Sequence, residues 1–255
     1  MRRSQRIKQL HEILLEKRNA STQYLCTVLD CSESSVRRDI KYLASTNPSV
    51  RRVHGGALIV DSRDELEYMF ELKLKQNLSF KRRIASATIE LVEDGDSVII
   101  DSGTTCLYAG MELHKKRHLR VVALDVRIAQ ELAKSESIDT IVVGGLIRPG
   151  YYAIGGTLAE EMINSFKADK IIMSADAIDL ESGITNYSLF EVGVKKRIIG
   201  RGGEVIVIAD HTKFGKTSFY KVADLREIST IVTNHELDPV YSEQIKELGI
   251  RVITC

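Results

Sequence analysis

The stretch Ser32-Glu33-Ser34-Ser35-Val36-Arg37-Arg38-Asp39-Ile40-Lys41-Tyr42-Leu43 decides how the chain is organised, because its two faces carry different chemistry. At about 100° per residue, Val36, Ile40 and Leu43 share one apolar stripe, while Ser34, Arg37, Arg38 and Lys41 gather on the opposite side. The pattern predicts an amphipathic helix with a cationic outer face. Ser32 is placed to cap it, its hydroxyl accepting from the N–H groups of the first turn. Ser34, Ser35 and Arg37 then lie near the N-terminal end, the end a recognition helix presents to base edges. A charge run in isolation is by default a solvated surface; what precedes this one argues for more.

Upstream, Ile7, Leu10, Ile13 and Leu14 fall on one helical face between Ser4 and about Lys17. Asn19-Ala20-Ser21 breaks that helix, and Ser21 can cap a second, short one with Tyr24, Leu25, Val28 and Leu29 inward. Asp30-Cys31 makes a tight turn into the opening stretch. Three helices with so short a turn between the last two form a helix-turn-helix plan. Asn47-Pro48 ends the third helix, and Arg51-Arg52-Val53-His54-Gly55-Gly56-Ala57 follows as a basic extended segment with a glycine turn. A strand pair there would be the wing of a winged helix, with Arg51 and Arg52 close to phosphates.

Charge supports the division. Residues 1–57 hold 11 basic and 5 acidic side chains, a net +6, whereas residues 58–255 hold 25 and 30, a net −5. A basic head on a mildly acidic body points to a nucleic-acid partner for the head alone. With 255 residues, 44% of them hydrophobic, the chain has room for a small and a medium domain. No apolar run approaches the roughly 18 residues of a membrane span, and Met1-Arg2-Arg3-Ser4-Gln5-Arg6 does not lead into a signal-peptide core. The chain is therefore expected in the cytoplasm. Cys26, Cys31, Cys106 and Cys255 form no C-x-x-C pair and no zinc spacing, so unpaired thiols and no metal are expected.

Residues 58–76 are rich in charge, with Leu66, Met69, Phe70 and Leu74 interspersed, and read as a linker passing into a helix. Residues 77–255 change character. Ser97 to Ile100, Arg120 to Leu124, Thr140 to Val143, Lys170 to Met173, Glu204 to Ala209, Thr230 to Thr233 and Arg251 to Thr254 are short runs rich in Val and Ile. Helical patterns lie between most of them: Arg82 to Val92, Cys106 to Leu113, Val126 to Lys134, Leu158 to Phe166, Phe190 to Ile199 and Pro239 to Leu248. Such alternation predicts a Rossmann-like, mostly parallel α/β sheet with helices on both faces, and ligands outside the carboxyl ends of its strands.

Asp101-Ser102-Gly103-Thr104-Thr105 leaves one such strand directly before a helix. Free backbone N–H groups, the hydroxyls and the positive helix end make it either an anion cradle or an ordinary capped turn. Gly144-Gly145 also follows a strand. Standard nucleotide motifs fail: Gly215-Lys216-Thr217 has Asp210 where a P-loop needs its first glycine, and Gly200-x-Gly202 is followed by Val205 and precedes a strand. His235-Glu236 lacks the second histidine of a zinc protease, and no histidine is spaced to activate Cys106.

Ser32-x-x-Ser35-Val36-Arg37-Arg38-Asp39-Ile40 with Arg52-Val53-His54-Gly55-Gly56-Ala57 resembles the signature of the DeoR family of bacterial transcriptional regulators. Ser35 stands where that family usually has threonine, and Asn47-Pro48 replaces a glycine-containing connection. Lys81 to Thr233 resembles the family's effector-sensing domain, a fold similar to sugar-phosphate isomerases. The matching pieces are Asp101 to Thr105, Gly144-Gly145, Gly155, Asp169, Gly183-Ile184-Thr185, Glu191, Lys195 and Asp210-x-x-Lys213-Phe214-Gly215. The resemblance implies that Ser32, Ser34, Ser35, Arg37, Arg38, Lys41, Arg51, Arg52 and His54 face DNA. It also implies that Asp101, Ser102, Gly103, Thr104 and Thr105 hold the phosphate of a sugar effector with Gly144 and Gly145 nearby. Lys213 would add a cation, Glu191 with Lys195 would face the sugar end, and Asp176 and Asp210 belong to the same effector-binding set. Ala123-Leu124-Asp125 replaces the usual Thr-Asn-Ser, and Ser174 and Ala177 replace two usual glycines.

The expected function is a repressor of a carbohydrate-metabolism operon, binding double-stranded operator DNA as a homo-oligomer, dimer or tetramer, without catalysis or cofactor. The competing reading is a sugar-phosphate isomerase with Glu191 as base and Lys195 stabilising an enediolate; a third is a ligand-free oligomerisation platform.

Overall fold

Three apolar cores organise the chain, one in the unit Met1–Met69 and two in the unit Phe70–Cys255. The computed structural model describes residues 3–17, 19–47, 50–53, 55–59, 70 and 72–255; His54, Pro48, Leu66 and Met69 lie outside them.

In the first unit, helices α1 (Arg3–Lys17), α2 (Thr22–Leu29) and α3 (Glu33–Thr46) pack with strands β1 (Asn19–Ser21), β2 (Val50–Val53) and β3 (Gly56–Ile59). Leu10, Leu14, Leu25, Leu29, Val36, Ile40, Leu43 and Val50 are buried together, so the apolar stripe of α3 does anchor it. Strands β2 and β3 pair antiparallel, Arg52 opposite Ala57, as the expected wing. Asn19-Ala20-Ser21 is not merely a break: it forms β1 and pairs with β3, Ala20 opposite Ala57. That contact needs a glycine at position 56, where a Cβ would sit 2.3 Å from the Ala20 carbonyl oxygen.

Two local expectations are corrected. Tyr24 and Val28 of α2 do not point inward but are 38% and 41% exposed, because a helix of only two turns buries one narrow stripe, Thr22, Leu25 and Leu29. Ser32 sits at the N-cap of α3 without capping it through its side chain; its hydroxyl pairs with those of Ser34 and Ser35 at 3.1 and 3.0 Å. Ser21 caps α2 as expected, accepting from the Tyr24 N–H at 3.1 Å. Asp30 makes the turn between α2 and α3 with φ 46°, a left-handed conformation that aspartate tolerates.

The second unit is a parallel sheet of seven strands: β4 (Ser97–Ile100), β5 (Leu119–Ala123), β6 (Ile138–Val142), β9 (Ala168–Ser174), β12 (Gly202–Ile208), β14 (Thr230–Thr233) and β15 (Arg251–Thr254). Its order is β15-β14-β12-β9-β4-β5-β6. Every one of the seven apolar runs is thus a strand of one sheet. Alternation sorts their side chains: Ile99, Ile171 and Met173 face helices α7 (Thr157–Ile163), α8 (Leu189–Ile199) and α9 (Pro239–Glu247). Val98, Ile100 and Ile172 face helices α4 (Leu78–Ile89), α5 (Thr104–Glu112) and α6 (Val126–Leu132). Phe70, placed by sequence in the linking segment, is 1% exposed in the core that Val98, Ile100 and Ile172 share.

Sequence missed two smaller sheets. A hairpin pairs β7 (Leu146–Ile147) with β8 (Ile154–Gly155), and β10 (Ala177–Asp179), β11 (Gly183–Asn186) and β13 (Tyr220–Ala223) form an antiparallel three-stranded sheet. The strand order reverses between β4 and β9: the chain winds outward from β4 through β5 to β6, then returns to β9 on the other side. A sheet of this kind opens a crevice at that switch point, beyond the carboxyl ends of β4 and β9.

Candidate nucleic-acid interface and effector site

On α3, Ser34, Arg37, Arg38 and Lys41 are exposed, and Arg51 and Arg52 are exposed on β2. Arg37 donates to the Glu33 carboxylate at 2.6 Å, but with side chains 61% and 60% exposed this pair contributes little and yields readily to a phosphate. Arg38 donates to the Ser34 carbonyl at 3.2 Å, which holds its stem along the helix. A groove of about 160 Å³ between α3 and the wing brings Arg37 and Arg52 to one opening. A second groove, about 460 Å³, runs along α3 and is lined by Arg3, Arg6, Ser35, Arg38, Lys41 and Tyr42 among others. Seen from the sequence, Arg3, Arg6 and Tyr42 were absent from the DNA-facing set.

Asp39 also lines this second groove, 1% exposed on a helix otherwise read as apolar within and basic outside. Arg3 and Arg6 of α1 hold it, their Nε atoms donating to Oδ1 at 3.2 Å and Oδ2 at 2.6 Å. A buried carboxylate needs such partners. The contact fixes α1 against the recognition helix and leaves Arg38 and Lys41 unopposed by Asp39 at the surface.

In the second unit, Asp101 leaves β4 at the switch point and is 2% exposed. Its Oδ2 accepts from the Ser174 N–H at 3.0 Å and the Ser174 hydroxyl at 3.1 Å, at the end of β9, and from the Lys195 ammonium. Lys195 also donates to the Ser174 carbonyl at 2.9 Å. Burial alone pushes the Lys195 ammonium down, but the Asp101 and Glu191 carboxylates more than offset it, so it is held above the usual lysine range. Gly103 has φ 110° and passes so close to β9 that a Cβ would meet the Ser174 Oγ at 3.0 Å. A side chain at that turn would be strained and crowded at once.

Four of the expected residues thus form one structure: Asp101 to Gly103 and Lys195, joined through Ser174. Thr104 and Thr105 open α5 beside them. Glu191, one helical turn before Lys195, accepts from Arg148 at 2.5 Å and from the Asn186 amide at 3.3 Å. Asp176 accepts from the Tyr187 N–H at 3.1 Å and so fixes the entry to that turn. Asp210 is buried and accepts from the Thr212 N–H at 3.0 Å. Lys213 lies near Lys81, whose ammonium burial pushes down to about 8, with Lys213 and Lys73 adding to the shift and Asp210 opposing it. The Gly144 N–H donates to Met162 Sδ at 3.1 Å, and Gly145 lies against the β7–β8 hairpin, where a Cβ would come 2.8 Å from the Gly155 oxygen. The glycine pair seats that hairpin.

Asp125 caps α6 from the end of β5, accepting from the Arg127 and Ile128 N–H groups at 2.8 and 3.3 Å. Burial raises its carboxyl to about 6; these N–H groups and that of Gly103 resist the shift, and Asp101 adds to it. Burial also pushes the Cys106 thiol well above its ordinary range, with the Asp101 carboxylate adding, which makes it a packing residue and not a nucleophile. Arg148 and Asn186 had no signal in the sequence: one sits on a two-residue strand's turn, the other on a strand not foreseen.

A helix-turn-helix head with a basic wing, followed by a parallel α/β unit with polar residues gathered at its switch point, defines a DNA-binding regulator with a sensor body. The chain belongs to the DeoR family of transcriptional regulators: the DeoR-like helix-turn-helix domain matches residues 6–63 and the DeoR C terminal sensor domain matches residues 76–235. It is 40% identical to the putative sgc region transcriptional regulator of Escherichia coli (strain K12), over 98% of this chain and 96% of that one. The glycerol-3-phosphate regulon repressor of Haemophilus influenzae is 29% identical over 100% and 98% of the two chains. The putative aga operon transcriptional repressor of Escherichia coli O157:H7 is 28% identical over 98% and 93%. Among solved structures, ribose 5-phosphate isomerase A from Methanocaldococcus jannaschii covers 55% of each chain at 15% identity with a TM-score of 0.40, a likeness that carries no functional argument.

Proposed function

We propose that this regulator is a repressor of a carbohydrate-metabolism operon and that a phosphorylated sugar, bound in the second unit, sets its affinity for operator DNA. One observation carries the DNA-facing part: α3 buries Val36, Ile40 and Leu43 and turns Ser34, Arg37, Arg38 and Lys41 outward beside the wing cations Arg51 and Arg52. The repressor reading is supported by relatives named as repressors of an aga operon and of a glycerol-3-phosphate regulon. The effector's phosphate would take the N–H groups and hydroxyls of Ser102 to Thr105 at the start of α5. Its sugar would extend toward Glu191. The regulator acts as a homo-oligomer, because two heads are needed to meet two operator half-sites about one DNA turn, or a multiple, apart.

No catalysis belongs to this reading. An isomerase needs a carboxylate free to take a proton, whereas Glu191 is engaged by Arg148 and Asn186, and Lys195 is held on Asp101. The test is operator titration by fluorescence anisotropy at several salt concentrations. Arg37→Ala should weaken binding and lower the log-log salt slope by about 0.9. Lys213→Ala should bind operator normally while its response to sugar phosphate is blunted. Unchanged operator affinity in Arg37→Ala would sink the assignment of the recognition face.

A further inference from the structure

The two edges of the seven-stranded sheet are finished differently. At one edge, β15 exposes Arg251 and Thr254 and keeps Val252 and Ile253 half-buried. At the other, β6 leaves Ile141 and Val142 38% and 45% exposed. Consecutive strand residues point to opposite faces, so this edge is uncovered on both. The Val143 N–H donates to the Ala123 carbonyl of β5 at 3.2 Å. By alternation the N–H and C=O groups of Thr140 and Val142 point away from the sheet, where among the described residues no strand pairs with them. Natural edges are guarded by charge, proline or a bulge, yet Thr140 to Ile147 holds no charged side chain and no proline. The apolar surface continues past the strand: Leu146 and Ile147 of β7 are 67% and 53% exposed, and Leu158 of α7 is 70% exposed. These parts adjoin, since the Gly144 N–H rests on Met162 of α7 and Leu146 lies against Gly156, just before that helix. The five side chains expose on the order of 500 Å², the size at which an apolar patch marks an interaction surface.

We infer that this edge is the surface through which two copies of the chain associate: β6 pairs antiparallel with β6 of a second copy, one sheet runs through both second units, and Leu146, Ile147 and Leu158 pack beside the joint. The inference rests on the homo-oligomer reading above and assigns it a surface. A strand lying against its own copy across a two-fold axis must run antiparallel to it. An axis beside Ile141 sets Thr140 against Val142 in both directions, so the outward N–H and C=O groups of both residues find partners. It places Ile141 against its own copy and gives Asp139 the uncharged Val143 as neighbour, so no like charges meet, which would cost stability. With the outward main chain of β6 and the exposed Gly144-Gly145, the surface comes near the roughly 800 Å² per partner of a stable dimer. A second copy is also the occupant that two operator half-sites require.

The experiment is analytical ultracentrifugation of the full-length protein over a range of concentrations, with circular dichroism melting to check folding. Ile141→Lys and Ile141→Glu should each halve the mass of the parent, raising the dissociation constant about a hundredfold or more, because each substitution enters the joint twice. An equal mixture of the two variants should regain the parent's mass, since lysine then faces glutamate across the axis. Val142→Pro removes an outward N–H while Ile141 and Val143 keep their bonds to β5, a change an edge strand tolerates. It should halve the mass with a melting temperature close to the parent's, and it carries the comparison if the charged variants do not fold. Unchanged mass in Ile141→Lys and Val142→Pro overturns the inference and leaves the homo-oligomer reading standing. Dissociation of both charged variants without recovery in the mixture overturns the pairing of β6 with itself. A parent that is monomeric both free and on operator DNA overturns both readings.

Discussion

Lys195 and Asp101 form an ion pair whose side chains are 1% and 3% exposed, joining α8 to the end of β4 across the switch point. Ser174 closes the arrangement by accepting from Lys195 and donating to Asp101. Removing one member leaves the other charged and buried. Lys195→Met is expected to destabilise the second unit by about 3–5 kcal/mol, and Lys195→Met with Asp101→Asn to recover part of it. Chemical denaturation of the three proteins measures this. A single variant as stable as the parent would show that the pair does not hold α8 to the end of β4.

Asp125 yields a prediction with a sign. Its carboxyl titrates at about 6 in the fold against an ordinary 3.8, so folding favours its protonated form. Below the ordinary value the group is neutral in both states and contributes no penalty. As pH rises from about 4 to about 6 the unfolded chain ionises at this position while the folded carboxyl keeps its proton, so stability falls, and above that the penalty is constant, of order 1–3 kcal/mol. Asp125→Asn keeps an acceptor for the Arg127 and Ile128 N–H groups without the charge. It should melt higher than the parent at pH 8 and lose that margin near pH 4. An equal margin at both values would place the cause elsewhere.

In the head, the clasp of Arg3 and Arg6 on Asp39 predicts that Asp39→Ala loosens α1 from α3. Two guanidinium groups lose a buried acceptor, so a loss of about 1–3 kcal/mol in head stability is expected. Operator binding should fall as well, although Asp39 is too buried to touch DNA and its loss adds positive charge to the surface. Melting curves and anisotropy titrations read the two effects. Tighter operator binding by Asp39→Ala would mean that charge, not placement of the helix, dominates.

Arg148 touches both Glu191 and the aromatic cluster at the start of the second unit. Its guanidinium pairs with Glu191 and lies 3.9 Å from the centre of the Tyr151 ring, while Phe70 packs edge-on to Tyr151 and Tyr152 at 6.1 Å each. Arg127 lies over Phe70 at 4.2 Å and over Tyr152 at 3.8 Å. Phe70 is where the chain arrives from the head. Tyr151→Leu should remove about 1 kcal/mol of stacking and cation–π stability. Sugar-phosphate affinity should stay within about threefold while the accompanying change in operator affinity shrinks. Titrations of the variant on DNA with and without D-glucose 6-phosphate separate the two quantities; an undiminished response would exclude this contact from the coupling.

Much of the architecture was legible before any coordinates because its signals are local. Runs of Val and Ile between helical periods mark β4, β5, β6, β9, β12, β14 and β15; for the inner five the reason is that a parallel strand covered on both faces is largely apolar, while the edge strands β6 and β15 carry such residues partly exposed. Val36, Ile40 and Leu43 mark the inner face of α3 by spacing alone. The short strands β1, β7, β8, β10 and β11 escaped, being two to four residues long with no periodicity to read. Tyr24 and Val28 misled because a helix of two turns buries only one stripe, and both lie off it.

What the sequence by itself determined, then, is a basic helix-turn-helix head, a parallel α/β body and the loop Asp101 to Thr105 at a strand end, for these depend on residues near one another in the chain. What only the tertiary structure decided is which charges face each other: Asp39 with Arg3 and Arg6, Asp101 with Lys195, and Glu191 with Arg148. Those partners are separated by 33 to 94 positions, and no local pattern specifies them. They are set by the packing of α1 on α3 and of α8 against the strand ends, where burial makes each charge require a partner.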